Sequence, residues 1–74
     1  MSLAELSLGQ KAKVVKINSN DKKFRIRMTD IGFVPGSTVC IKRVSPFKDP
    51  IIISIHDYKL SLGKSEASKI EVTI

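Results

Sequence analysis

The run from Lys22 to Thr38 constrains this chain more than any other: Lys-Lys-Phe-Arg-Ile-Arg-Met-Thr-Asp-Ile-Gly-Phe-Val-Pro-Gly-Ser-Thr. Phe24, Met28 and Ile31 stand at i, i+4 and i+7, a single apolar stripe at helical spacing. Lys22, Lys23, Arg25 and Arg27 fall mainly off that stripe, so the helix presents a basic face. Before it, Asn18-Ser19-Asn20-Asp21 offers side-chain oxygens to the free amides that open a helix. After it, Gly32 stands where a left-handed cap wants glycine, and Val34-Pro35-Gly36-Ser37 has the spacing of a type II turn. One short helix therefore starts and stops within a fixed window.

What flanks it is β-patterned. Lys11 to Ile17 is rich in β-branched residues, and its alternation slips between Val14 and Val15, which predicts a bulge. Thr38 to Val44 predicts a second strand, ended by Ser45-Pro46 and a loop through Asp49-Pro50. Ile51, Ile53 and Ile55 share one face of a third strand; Tyr58, Leu60 and Leu62 share one face of a fourth. A two-residue loop at His56-Asp57 pairs Ile55 with Tyr58 and lands both apolar rows on the same side. Gly63 to Lys69 predicts a short helical turn, and Ile70, Val72 and Ile74 a final alternating strand. Leu3, Leu6 and Leu8 predict an N-terminal arm packed on the sheet, closed by Gly9. Five strands with one short helix between the first two point to a mainly β fold, a small, partly open SH3-like barrel spanning residues 1–74 as a single domain.

At 74 residues the chain buries about 60% of the surface its unfolded form exposes, so its stability is modest. One cysteine, Cys40, excludes an internal disulfide framework and favours a reducing cytoplasm. The segment Met1 to Glu5 has neither the positive flank nor the apolar run of a signal peptide. The formal net charge of +6 admits nucleic acid or an anionic membrane face as a partner. Its lysines and arginines are scattered at alternate strand positions, however, which favours an ordinary solvated surface.

Catalytic and metal-ligating constellations are nearly absent. His56 is the only histidine and stands at a hairpin tip beside Asp57, a turn residue. Cys40, on another strand, reads as a small buried hydrophobe rather than a nucleophile. No Cys-x-x-Cys, His-x-x-x-His or dense carboxylate loop occurs, and Gly32 to Gly36 lacks the ending of a phosphate-binding loop. The expectation is a non-enzyme without a cofactor or metal.

With these residues laid out, the chain resembles the FeoA family, small ferrous iron transport proteins. Leu3, Leu6 and Gly9 match its Leu-x-x-Leu-x-x-Gly opening, and Arg27-Met28-Thr29-Asp30-Ile31-Gly32-Phe33-Val34-Pro35-Gly36 matches its core. The resemblance continues through Asp49-Pro50-Ile51, Tyr58 to Leu62 and Glu66 to Ile70. It departs at Asp57, where the family favours glycine, and at Gly63, where it favours arginine. The resemblance implies an SH3-like barrel in bacterial Fe(II) uptake. The implied partner is the FeoB-type membrane GTPase permease, bound on its cytoplasmic side, so that any membrane association runs through that partner. It also implies regulation or support of transport rather than iron carriage.

The basic helix supplies the expected contact surface: Lys22, Arg25 and Arg27, with Phe33 nearby. Phe33 and Phe47 both read as exposed anchors or as plugs at the barrel ends. Weak self-association is a further expectation. The alternative is a small basic β-barrel that binds nucleic acid; an aromatic content of 5% leaves it few stacking platforms. A third reading makes Arg25, Arg27 or Arg43 a finger that stimulates the partner's GTP hydrolysis.

Overall fold

Alternating apolar residues in five short runs become one antiparallel sheet in the computed structural model, which describes residues 1–47 and 49–74. The strands are β1 (Lys11–Ile17), β2 (Thr38–Val44), β3 (Ile51–Ile55), β4 (Tyr58–Leu62) and β5 (Ile70–Thr73). Helix α1 (Lys22–Ile31) joins β1 to β2, α2 (Lys64–Ala67) joins β4 to β5, and a 3-10 turn at Leu3–Glu5 precedes the sheet. The sheet order is β4-β3-β2-β1-β5, the open β architecture expected, with one helix between its first two strands.

Strand β1 serves two neighbours. Lys11 to Lys13 pair with Cys40 to Thr38 of β2, whereas Lys13 to Ile17 pair with Thr73 to Ile70 of β5. The register shifts between Val14 and Lys16, the place where the alternation slips, so the extra residue bends the strand and coils the sheet. At the hairpin, Ile55 pairs with Tyr58 as expected. His56 and Asp57 both take positive φ, 48° and 67°, the handedness that matches the twist of the flanking strands.

One face of the sheet, the 3-10 arm and both helices enclose the core. Ile53, Val39, Leu3, Ala67 and Ile70 are wholly buried there, joined by Phe24 and Met28 from α1. Three expectations fail, each for a geometric reason. Leu3 and Leu6 lie three apart on one side of the 3-10 turn, but Leu8 lies beyond it and is 66% exposed. Cys40 sits between buried Val39 and Ile41, so the two-residue period turns it outward, and it is half-buried rather than buried. Ile74 follows the end of β5 and is exposed.

Candidate docking surface

Helix α1 is fixed at both ends, and the sequence explains each. Asp21 is the N-cap: its Oδ1 accepts from the Phe24 amide at 3.2 Å. At the far end Gly32 takes φ of 123°; its amide donates to the Thr29 carbonyl at 3.0 Å. The Phe33 amide donates to the Met28 carbonyl, also at 3.0 Å. This pair of bonds is a Schellman cap, in which the residue after the glycine packs back on the last helical turn. Phe33 accordingly lies beside Met28 in the core, 1% exposed. Phe33 is therefore removed from the contact surface expected for it; the apolar residue following Gly32 was the signal for burial.

The β3–β4 hairpin reaches across to close this cap. The Tyr58 hydroxyl donates to the Ile31 carbonyl, one of the groups a helix leaves without an internal partner. His56 Nε2 lies 3.2 Å from the Gly32 carbonyl and 3.3 Å from Ser37 Oγ. A carbonyl oxygen can only accept, so Nε2 carries the proton. A Cβ on Gly32 would come within 2.5 Å of the His56 ring, so a bare glycine is required there twice over.

The face pointing away from the core carries Lys22, Lys23, Arg25 and Arg27, all exposed. Two of these are tethered. Arg25 Nη1 donates to the Ser19 carbonyl at 3.3 Å, and Arg27 pairs with Glu66 of α2, the one ion pair among the described residues. The Arg27 guanidinium lies 5.6 Å and the Lys69 ammonium 5.0 Å from the Phe24 ring centroid, so two cations roof that aromatic ring. Between the arginines stands Ile26, 51% exposed, an apolar residue at the centre of a basic face. Sequence reasoning passed over Ile26 because it lies off the apolar stripe; its isolation among cations was the available signal.

The remaining reactive side chains are dispersed or occupied. Cys40 and His56 line the same shallow groove on the outer sheet face, with Lys11, Lys42, Ser54 and Asp57. No hydrogen bond joins the thiol to the imidazole; Cys40 Sγ lies 3.9 Å from the Gly9 and Ile41 carbonyls. Among the described residues no group of three or more His, Cys, Asp or Glu side chains could hold a metal ion. Of the four aromatic residues, Phe24 and Phe33 are buried, leaving Phe47 and Tyr58 on the surface. Among the described residues no helix is long and apolar enough to cross a membrane.

The fold matches those of known proteins. The FeoA domain family model matches residues 1–74. The chain is 38% identical over 74 residues to the Fe(2+) transport protein A/Fe(2+) transporter FeoB fusion protein of Porphyromonas gingivalis. It is covered in full by that match but spans only 9% of the relative's length. The solution structure of the FeoA protein from Chlorobium tepidum superposes with a TM-score of 0.90 at 32% identity, covering 100% of this chain and 70% of that one. Stenotrophomonas maltophilia FeoA complexed with zinc, a prokaryotic SH3 domain protein, superposes with a TM-score of 0.86 at 27% identity, covering 97% and 88%.

Proposed function

The chain belongs to the FeoA family, and on that premise we propose that it acts as a non-enzymatic accessory or regulatory module of bacterial ferrous iron uptake. It works in the cytoplasm by binding the cytoplasmic side of a FeoB-type GTPase permease. The observation that carries this reading is the Porphyromonas gingivalis relative, in which a segment matching this whole chain is fused to FeoB. Fusion holds two partners at high effective concentration, which is useful where their contact is weak.

The docking face is the exposed side of α1. Lys22, Arg25 and Arg27 supply charge that steers an acidic partner, and Ile26 supplies an apolar centre for the contact. Because Arg27 is already engaged with Glu66, a partner carboxylate competes for it, whereas Lys22 is unengaged by any side chain described. The test is charge reversal of Arg25 and Arg27 together, read by capture of the detergent-solubilised permease and by Fe(II) uptake. Both should fall in a variant that keeps its circular dichroism; unchanged values would remove this face. Adding the chain to the permease's G domain and following GTP hydrolysis separates docking from catalytic stimulation by an arginine.

A further inference from the structure

Cations scattered along the strands in sequence are gathered on one side of the sheet in space. Alternate strand positions share a face, so the buried rows face the core and the outer rows carry Lys11, Lys13, Lys16, Lys42, Arg43 and Lys59, all exposed. Lys42 and Arg43 both reach this face because the β2–β3 register shifts between Ile41 and Arg43. Lys11, Cys40, Ser54 and Lys59 form one row across four strands, and Lys11 and Lys42 line a single groove on it. Two carboxylates stand nearby: Glu71, in register with Lys16, and Asp57 at the hairpin end of that groove. None of the six cations makes an ion pair among the described residues. We propose that this outer sheet face binds an anionic lipid bilayer directly, with Phe47 at its rim entering the headgroup layer.

Charge complementarity selects the occupant. A bilayer rich in acidic headgroups favours each lysine held near it by about fivefold, so three or four in contact give roughly 10²–10³-fold preference over neutral lipid. Shape agrees: the cations spread over an open sheet face, with Lys11 and Lys59 three strand spacings apart, roughly 14 Å. Phe47, 84% exposed, follows Pro46, which lines a groove with Arg43 and Ile52 at the β2–β3 end of the same face. An apolar ring beside cations is the combination that anchors at a headgroup boundary. Nucleic acid fits less well, because the outer strand positions carry no aromatic residue on which bases would stack. Tyr58 is turned the other way, its hydroxyl donating to Ile31 of α1. The inference goes beyond the permease reading and does not rest on it: α1 lies across the core and stays open to a protein partner.

Vesicle co-sedimentation of the chain alone tests this without the permease, so a failure here leaves the permease reading standing. Vesicles of equal parts phosphatidylglycerol and phosphatidylcholine should capture the chain at about 0.1 M salt. They should release it at about 1 M, as the Debye length falls from about 10 Å to about 3 Å. Pure phosphatidylcholine vesicles should not capture it. Lys11→Gln with Lys42→Gln should lower the partition coefficient by roughly thirtyfold. Lys23→Gln with Lys64→Gln removes the same charge from the helices. The chain is 22 Å across its short axes, about two Debye lengths, so this second pair should change capture by less than about threefold. Phe47→Ser should lower it by roughly fivefold, the scale of half-burying a phenyl ring. Circular dichroism verifies the fold of each variant. Equal capture by neutral vesicles, equal losses in the two double variants, or no loss on Phe47→Ser would overturn the proposal. Tighter binding to single-stranded RNA than to the anionic vesicles would overturn it too.

Discussion

Arg27 on α1 and Glu66 on α2 form an ion pair across 39 positions of sequence, and the two partners are unequal. The second carboxylate oxygen of Glu66 accepts from the Gly63 amide at 3.1 Å and so caps α2. Removing Arg27 breaks an exposed pair and leaves Lys69 as the cation over the Phe24 ring, whereas removing Glu66 breaks the same pair and also frees the Gly63 amide at the start of α2. Arg27→Ala should cost under about 1 kcal/mol, and Glu66→Ala about 1–2 kcal/mol. Urea unfolding of the two variants ranks them; equal losses would show that the cap contributes nothing.

Gly32 combines positive φ with direct contact against the His56 ring. Gly32→Ala should destabilise by about 2 kcal/mol through backbone strain and steric overlap, lowering the thermal midpoint by roughly 10 °C. In a His56→Ala background the same change should cost less, because the overlapping ring is gone. An identical cost in both backgrounds would assign the whole effect to the backbone.

Phe33 and Phe47 look alike as sequence and differ completely in their surroundings. Phe33→Ala should cost about 3–5 kcal/mol, much of the stability a domain this small possesses, and leave a largely unfolded chain at 37 °C. Phe47→Ala should change stability by no more than about 0.5 kcal/mol. Paired thermal melts monitored by circular dichroism distinguish them directly.

At Asp57, φ of 67° is a conformation that glycine adopts without a Cβ penalty. Asp57→Gly should therefore stabilise the hairpin, by about 0.5 kcal/mol, because relief of the turn outweighs the added freedom of the unfolded chain. Denaturant midpoints report the sign; a decrease would mean that the aspartate side chain supports the turn.

Features governed by neighbours in sequence were legible before the structure. The Asp21 cap, the slip at Val14-Val15 and the His56-Asp57 register all follow from spacing within a few residues, and all three appear. The burial of Phe33 was legible too, as the plug alternative and through the Schellman cap, in which the residue after Gly32 packs on the last helical turn. Other placements depend on segments far apart in the chain. Glu66 meets Arg27, and Tyr58 meets Ile31, only because the fold brings separate hairpins and helices together. Nothing local to Ile26 or Phe47 records what neighbour each side chain lacks.

The division of β1 between two partners also affects how the molecule can fail. Its first residues hold one flank of the sheet and its last residues hold the other, with Lys13 in both ladders, so opening β1 releases both flanks together. Heat, denaturant or a protease seeking a partly opened form should meet a single all-or-none transition rather than a sequence of separable events.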